Sequence, residues 1–231
     1  MIKKRKGKIM LEIREYKKPE LTAMLGTKSV DNIKKKLERY KVEFDLSGRG
    51  EKAIFDIKAI NDPLKVFCII ELEFDANTDF KKLAYFAYCY FNDEEFMAMP
   101  DEVKSTRLDK DGKYTSRQTI ASYTRRFERN DLIYRNTDNF IYYFAYGKHQ
   151  SMTDKKTYCK AWKLYWDSIK DGATPWEAMW NVRFEFGGSP RKQAIPQVNA
   201  FHLAKIETLI KLSEEVIEED MLKYSNQPIN S

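Results

Sequence analysis

Side chains that commonly carry catalysis are scarce in this 231-residue sequence. Histidine occurs twice, at His149 and His202, and neither has a persuasive spacing to a cysteine. The sequence also lacks a glycine-rich phosphate-binding loop and a cluster of metal-ligating side chains at a recognisable spacing. These absences predict a protein that is not an enzyme and that holds neither a cofactor nor a metal ion.

Cysteine is almost as rare, with three widely separated residues at Cys68, Cys89 and Cys159. An odd number of cysteines without a CxxC pair argues against the disulfide framework that staples small secreted domains. All three lie among apolar or aromatic neighbours in the sequence. This setting predicts reduced thiols in the core of a cytoplasmic protein.

Long apolar runs are missing as well. The longest apolar and aromatic run, from Leu83 to Phe91, is far shorter than the roughly 20 residues that a membrane helix needs. The basic start of the chain is followed by Glu12, Arg14 and Glu15, which interrupt the apolar stretch of a signal peptide. We therefore expect neither secretion nor a membrane partner.

The residues that are abundant indicate a folded, basic protein. Hydrophobic residues make up 42% of the chain and aromatic residues 14%, which is enough apolar surface to offset the entropy lost on folding. The net charge of +6 is unevenly distributed, because residues 1–60 hold 17 Lys and Arg against 9 Asp and Glu, and the rest hold 24 against 26. This distribution favours an anionic partner near the N-terminal part.

The first predicted unit begins with two short helices. Pro19 can open a helix that extends to Leu25, and Gly26 ends it. Ser29 can cap a second helix that extends to Tyr40, whose apolar residues recur at helical spacing. The pattern predicts a helix-turn-helix with the second helix as the recognition helix.

A β-hairpin is predicted directly after these helices, over residues 41–58. Apolar and polar residues alternate on both sides of a glycine-containing turn, with Arg49 at its tip. An extended guanidinium there can reach a phosphate or a narrow minor groove. The basic segment from Lys3 to Lys8 either adds a backbone contact or is a solvated end, and the sequence leaves both readings open.

The face of the second helix opposite its apolar stripe carries donors suited to base edges and phosphates. A solvated lysine-rich helix is the alternative explanation of the same charges, and the hairpin that follows makes it less favoured. With the flanking turn and the hairpin tip, the predicted DNA contacts of this unit are Lys28, Ser29, Asn32, Lys35, Lys36, Arg39 and Arg49.

The second predicted unit repeats this order after a core helix over Phe80–Phe91. A short helix from Pro100 to Leu108 is followed by a polar turn, and Thr115 with Gln118 forms a predicted capping box for the next helix. The turn sequence from Asp109 to Gly112 superficially matches part of a calcium loop, but the later ligands of that loop are missing. We therefore predict a second helix-turn-helix and no calcium site.

A second hairpin is predicted after that helix, with strands at Leu132–Arg135 and Phe140–Phe144 and a turn at Asn136–Asn139. The N-terminal residues of the helix are expected nearest the base edges of the groove. The predicted DNA contacts of this unit are Ser116, Arg117, Gln118, Ser122, Arg126 and Arg129. Upstream, Glu71, Glu73 and Asp75 are predicted to be solvated residues of a strand.

Both units resemble the winged helix-turn-helix superfamily. The second is similar to winged bacterial regulators from Ser116 to Ile133, with departures at Thr124, where a larger aliphatic residue is usual, and at Asp131, where glycine is common. Tandem winged helices of this size resemble plasmid replication initiators and DNA-binding regulators of conjugative elements. The resemblance implies binding of double-stranded DNA near an origin or a promoter.

The C-terminal region, residues 151–231, is predicted to be helical. It comprises a helix over Thr153–Ile169, a capped helix from Thr174 whose Trp176 and Trp180 pack inward, and a basic linker over 190–196. Asn199 can cap a final helix, with a disordered tail after Tyr224. The apolar stripe of that helix either makes a homodimer or other protein contact or packs within the chain.

The sequence thus predicts a mainly α protein with small β-hairpin wings, of the α+β class, in three segments: 1–60, 61–150 and 151–231. The predicted function is sequence-specific binding of double-stranded DNA through two recognition helices in the major groove. The setting implied by the resemblance is a plasmid, phage or conjugative element, where the protein regulates transcription, initiates replication or assists a relaxosome. The alternative is a protein-binding inhibitor or adaptor on a helix-turn-helix scaffold.

Overall fold

The computed structural model describes residues 10–110, 112–147 and 149–225. The chain forms two compact units, of which the first extends to Tyr88 and resumes at Lys205, and the second comprises Cys89–Ala204. Helices are accompanied by two three-stranded antiparallel sheets, which is compatible with the α+β class. The sequence had predicted three consecutive segments rather than a first unit built from both ends of the chain.

The first unit begins with two helices and a three-stranded sheet. Its elements are β1 (Glu15–Lys17), α1 (Lys18–Leu25), α2 (Val30–Arg39), β2 (Val42–Ser47) and β3 (Ile54–Ile60). The strand order is β1-β3-β2, and a 3-10 turn at Gly50–Lys52 lies between the last two strands. Gly26 has a φ of 65° at the end of α1, in the left-handed region that favours glycine. The predicted helix pair and the predicted hairpin over 41–58 are confirmed.

The core of these elements follows the predicted periodicity. Leu21 of α1, Ile33 and Leu37 of α2 and Phe55 of β3 are completely buried. Tyr16 joins them from β1, which the sequence analysis did not predict. The helix faces that carry the predicted DNA contacts are thereby turned away from the core.

Three more helices complete the first unit: α3 (Pro63–Glu71), α4 (Phe80–Asn92) and α10 (Leu203–Ser225). The predicted strand around Glu71 is wrong, because α3 ends there and the side chain is buried, with Lys205 Nζ 3.0 Å from its carboxylate. Glu73 and Asp75 are exposed, as predicted. The apolar run before Glu71 therefore belongs to a core helix.

Helix α10 packs within the first unit. Its Ile206, Leu209 and Leu212 are buried. The Asp220 carboxylate lies 2.5 Å from Lys81 Nζ of α4 and accepts a 2.8 Å hydrogen bond from the Tyr85 hydroxyl. Of the two alternatives for the final helix, packing within the same chain is the one observed for these residues.

Among its described residues, the second unit contains five helices and three strands, besides the end of α4 and the start of α10. They are α5 (Glu94–Ala98), α6 (Asp101–Lys110), α7 (Arg117–Arg129), β4 (Ile133–Tyr146), β5 (His149–Thr153), α8 (Lys155–Lys170), α9 (Pro175–Phe186) and β6 (Ser189–Val198). The strand order is β5-β4-β6, and both pairings are antiparallel. The helices α6, α7 and α8 correspond to predicted helices.

The predicted turn at Asn136–Asn139 is wrong. Strand β4 continues through these residues, with an irregularity in its pairing to β6 between Arg135 and Phe140. The hairpin lies later, where Tyr146 pairs with His149 of β5. Turn-forming residues can also occupy a β-bulge, which explains why they were mistaken for a reversal of the chain.

The predicted linker over 190–196 is also wrong, because it is part of β6. Ala194, Gln193 and Lys192 pair with Phe140, Ile141 and Tyr142 of β4, respectively. Strand β6 is at the edge of its sheet, where proline is tolerated since only one side of the strand has to bond.

Two helix caps in the second unit can be compared with their predictions. The predicted cap Thr115 is displaced by one residue, since Ser116 caps α7 and its hydroxyl accepts from the Thr119 amide at 3.2 Å. The capping box of Thr174 and Glu177 at α9 is confirmed. Both caps satisfy amides that have no partner within the helix.

One charged side chain is buried in the second unit. Lys104 of α6 is 1% exposed, with Nζ 3.8 Å from Asp101 Oδ1 and 5.1 Å from the centre of the Tyr90 ring. Burial lowers the pKa of its ammonium to about 8, although the carboxylate of Asp101 acts in the opposite direction. The interior of this unit therefore disfavours the charged form of Lys104.

Two further expectations for the second unit are wrong. Trp176 and Trp180 of α9 do not pack inward, since 69% and 49% of their surfaces are exposed. Cys159 is exposed on α8, while Cys68 is buried and Cys89 half-buried. The α9 face is therefore not part of the core of its own unit.

Candidate nucleic-acid interface

Helix α2 presents most of its predicted DNA contacts on the surface of the first unit. Lys28 and Ser29 precede the helix, and Asn32 and Lys35 follow on its outer face; all four are exposed. The same helix also exposes acidic residues, Asp31 and Glu38. Its outer surface is therefore mixed in charge.

Two of the predicted α2 contacts are engaged within the first unit. Lys36 Nζ donates to the Leu25 carbonyl at 2.7 Å, and the lysine lines a cavity of about 550 Å³ together with Tyr40. Arg39 donates to the Asn77 side chain at 3.0 Å and remains exposed. The bond from Lys36 also satisfies a carbonyl at the C-terminal end of α1.

The tip of the first hairpin lies at Arg49, as predicted. Its side chain is exposed between the flanking glycines Gly48 and Gly50, whose φ angles are 73° and 58°. A Cβ atom at Gly48 would lie 2.4 Å from the Lys52 carbonyl oxygen. The turn therefore requires glycine at position 48, and this fixes where Arg49 emerges.

Helix α7 of the second unit has two clearly different faces. Ile120, Tyr123, Thr124 and Phe127 are buried. The exposed residues that recur at intervals of three or four form the outer face of α7: Gln118, Ser122, Arg125 and Arg129. The single acidic residue within α7, Glu128, is 2.6 Å from Arg135 Nε of β4. The outer face of α7 therefore carries arginines and polar donors without an acidic residue.

The remaining predicted contacts of this unit border the outer face. Ser116 is half-buried because it caps the helix, Arg117 is exposed in the first turn, and Arg126 is half-buried in the last turn. Arg125 belongs to the outer face but was not among the predicted contacts. Arg125 follows Ser122 by three residues and precedes Arg129 by four, and this helical spacing could have identified it as part of the same face.

A second exposed arginine that was not among the predicted contacts is Arg191 of β6. Burial raises the pKa of the Tyr143 hydroxyl, while the positive charges of Arg191 and Arg117 act to lower it. Arg191 of β6 is also the partner of Tyr143 in the pairing of β6 with β4. Its side chain is exposed, and the prediction of a linker over 190–196 concealed this position in the sheet.

Both units connect the second helix to the following strand in the same way. Lys41 follows α2 with a φ of 60°, and Asp131 follows α7 with a φ of 56°. Both values are in the left-handed region, which residues other than glycine adopt infrequently. The two helix pairs thus share a local chain path into β2 and β4.

Other kinds of site find no support within the described part of the chain. Over residues 10–110, 112–147 and 149–225, no group of three or more His, Cys, Asp or Glu side chains could hold a metal ion. Asp111 of the rejected calcium pattern and the basic segment from Lys3 to Lys8 lie outside the described residues. Among the helices that are described, none is both long enough and apolar enough to cross a membrane.

Comparison with known proteins gives no relative from which a function could be transferred. No protein-family model, no curated protein and no solved structure matches this chain.

Proposed function

We propose that this protein binds double-stranded DNA through helix α7, with helix α2 and its hairpin as a second contact. The observation that carries the proposal is the outer face of α7, where Gln118, Ser122, Arg125 and Arg129 are all exposed. The second unit would then act as a winged helix-turn-helix with α7 in the major groove, while α2 of the first unit would contact phosphates.

The dimensions and chemistry of the outer face suit a major groove. From Gln118 to Arg129 the helix rises by about 16 Å, and an α-helix fits a groove roughly 12 Å wide. Glutamine can pair with adenine edges and arginine with guanine edges or phosphates. Because Glu128 is bound by Arg135, its charge opposes DNA less than that of a free carboxylate would.

Helix α2 is the weaker contact in this proposal. Its exposed Lys35 is accompanied by Asp31 and Glu38, and Lys36 is committed to the Leu25 carbonyl. We therefore assign α2 a positioning role on phosphates, together with Arg49 at the hairpin tip. The resemblance noted from the sequence is what supports a plasmid, phage or conjugative element as the setting.

The test is a titration of fluorescently labelled random duplex DNA with the purified protein at several salt concentrations. Wild type is compared with Arg125→Gln/Arg129→Gln. If both arginines contact phosphates, the slope of log K against log salt becomes shallower by roughly 1.8, since each phosphate contact contributes about 0.9. A sequence-selective contact would then be sought by selecting sites from a random library.

A charge-matched control separates this effect from a general loss of positive charge. Lys160→Gln/Lys170→Gln removes two exposed charges from α8 of the same unit and is expected to leave the slope unchanged. Equal slopes for wild type and the α7 variant, or no binding by wild type at low salt, would contradict the proposal.

A protein-binding inhibitor or adaptor is the second candidate function, and the exposed tryptophans of α9 are the observation that favours it. In that case changes at Trp176 would abolish activity while Arg125→Gln/Arg129→Gln would not. The DNA-binding proposal predicts loss of activity in Arg125→Gln/Arg129→Gln. The two candidates are thus separated by testing both variants for regulation of a reporter in cells.

A further inference from the structure

The outward side of helix α9 is apolar over three successive turns. Trp176, Trp180 and Phe184 recur every four residues and are 69%, 49% and 86% exposed, respectively. The two indole rings are stacked, with centroids 5.7 Å apart and an interplanar angle of 13°. Residues four apart lie above one another on a helix, so the three rings form one stripe, here called the α9 stripe.

The α9 stripe is large for a surface that faces only water. The exposed fractions of its rings correspond to roughly 450 Å² of aromatic surface, taking about 200–250 Å² for each side chain. The largest contiguous apolar patch on a typical monomer covers about 300–600 Å² and is often a contact surface for another molecule. The buried side of the same helix, including Ala178 and Val182, is already used in the core of the second unit.

The order of residues along α9 is self-complementary. Large aromatic rings stand four residues before and four residues after Trp180. If two copies of α9 lie antiparallel with a twofold axis at Trp180, each Trp176 faces the partner's Phe184 and the two Trp180 rings meet at the axis. A twofold interface requires such a match, because the same surface serves both subunits.

The surface area and the flanking residues are compatible with this arrangement. Two α9 stripes would bury roughly 900 Å² from their aromatic rings, and stable interfaces bury about 1,200 Å² or more in total. Exposed parts of Glu177 and Asn181 beside the stripe would contribute further area. Asn181, the exposed residue next to the axis on that flank, is uncharged, so the centre of the contact avoids repulsion between like charges.

We propose that the α9 stripe is the contact surface for a second copy of this chain, in an antiparallel, twofold-symmetric pair of α9 helices. The occupant is the same chain rather than another protein because the aromatic stripe repeats symmetrically about Trp180. An interface below the standard size is typical of weak, transient association, so we expect a dissociation constant on the order of micromolar. Such a dimer forms whether or not α7 binds DNA, and it would supply two copies of α7.

Sedimentation velocity of the full chain at about 1–100 μM tests this association, a range that brackets the expected micromolar constant. Wild type is expected to change from monomer to dimer as the concentration rises. Trp176→Ser/Phe184→Ser is expected to remain monomeric, since it removes the two outer rings of each stripe. Phe201→Ser is the matched control, because Phe201 is 95% exposed outside α9 and its loss leaves the dimer intact.

Cross-linking with a short bismaleimide tests the antiparallel geometry, in a Cys159→Ser background that removes the exposed native thiol. With helix axes about 9 Å apart, the β-carbons at position 181 of the two chains are roughly 10 Å apart, and those at position 185 are roughly 20 Å apart. Asn181→Cys is therefore expected to cross-link to itself, and Glu185→Cys is not.

Several results would overturn the proposal. Wild type could remain monomeric throughout the concentration range, or the dimer could persist in Trp176→Ser/Phe184→Ser. Equal cross-linking of Asn181→Cys and Glu185→Cys would exclude the antiparallel register. A monomer that forms a complex with a different protein through Trp176 would show that the α9 stripe has another occupant.

Discussion

Replacing the buried Lys104 with methionine is expected to stabilise the second unit near neutral pH. The side chain is 1% exposed, and burial lowers the pKa of its ammonium from 10.5 to about 8. Methionine has a similar length and fills irregular space in a core without carrying a charge. The variant also removes the contact with Asp101, and the loss of this contact offsets part of the gain in stability.

The size of the effect follows from the difference between the two pKa values. The pKa of Lys104 is about 8 in the folded state and 10.5 in the unfolded state. This difference means that folding disfavours the charged form of the lysine by roughly 3 kcal/mol. Between these pH values the unfolded chain binds more protons than the folded chain, so the stability of wild type rises with pH. The advantage of Lys104→Met is therefore complete below pH 8 and shrinks by about 3 kcal/mol as the pH approaches 10.5.

Urea unfolding followed by tryptophan fluorescence measures this difference. All four tryptophans, Trp162, Trp166, Trp176 and Trp180, lie within the second unit, so their signal reports on the unit that contains Lys104. The free energy of unfolding is determined for wild type and Lys104→Met at several pH values from 7 to 10.5. Lys160→Met makes the same chemical change at an exposed position of α8 and serves as the control.

The dependence on pH, rather than the absolute stability, decides the outcome. A difference between Lys104→Met and wild type that stays constant from pH 7 to 10.5 would show that folding does not shift the pKa of this lysine. A difference that grows with pH would contradict the sign of the shift. The same dependence in Lys160→Met would assign the effect to charge in general rather than to burial.

Two further substitutions test contacts of the individual units. Gly188→Ala is expected to destabilise the second unit by roughly 1–3 kcal/mol in urea unfolding, because its Cβ would lie 2.9 Å from the Ala145 amide nitrogen of β4; an unchanged midpoint would contradict this packing. Asp220→Asn is expected to cost about 1–3 kcal/mol, since it removes the charge that Lys81 contacts, and hydrogen exchange of α10 amides should accelerate accordingly. Unaltered exchange there would show that this contact does not hold α10 in place.

The sequence predicted those parts of the fold in which local signals and burial agree. In α2 and α7, one face is apolar at helical spacing and the opposite face is polar. A serine precedes each helix, and of the two Ser116 accepts a capping hydrogen bond whereas Ser29 does not. Gly26 and the glycines around Arg49 marked turns at positions where the backbone requires them. These elements depend on neighbours that are close in sequence.

The elements and side chains that were predicted wrongly depend on contacts with residues that are distant in sequence. Strand β6 was taken for a linker because Pro190 and Pro196 suggest irregular chain, and only its pairing with β4 reveals a strand at the edge of a sheet. Glu71 was expected to be solvated, but its partner Lys205 comes from a helix over a hundred residues later. Neither partner can be identified from local periodicity.

As with the fold, local sequence signals predicted only part of the candidate interface. Periodicity placed Gln118, Ser122 and Arg129 on one side of α7, whereas Arg191 required knowledge of the sheet. In α9, the spacing of Trp176 and Trp180 showed that they share a face. It could not show whether another element covers that face, and the assumption that large aromatic residues are buried gave the wrong answer.

The discontinuous path of the first unit has a consequence for its biosynthesis. The segment that starts this unit leaves the ribosome first, but α10 is synthesised only after the 116 residues of Cys89–Ala204. At about 5–20 residues per second, this interval lasts roughly 6–23 seconds. During that time Glu71 lacks Lys205, and the surface that α10 will cover is available to chaperones.

The same path determines what a premature stop codon would damage. A chain ended shortly before Lys205 would keep the residues of the second unit, yet it would lose Ile206, Leu209 and Leu212 from the core of the first. The loss of Lys205 and the residues after it would thus destabilise the unit that contains α2.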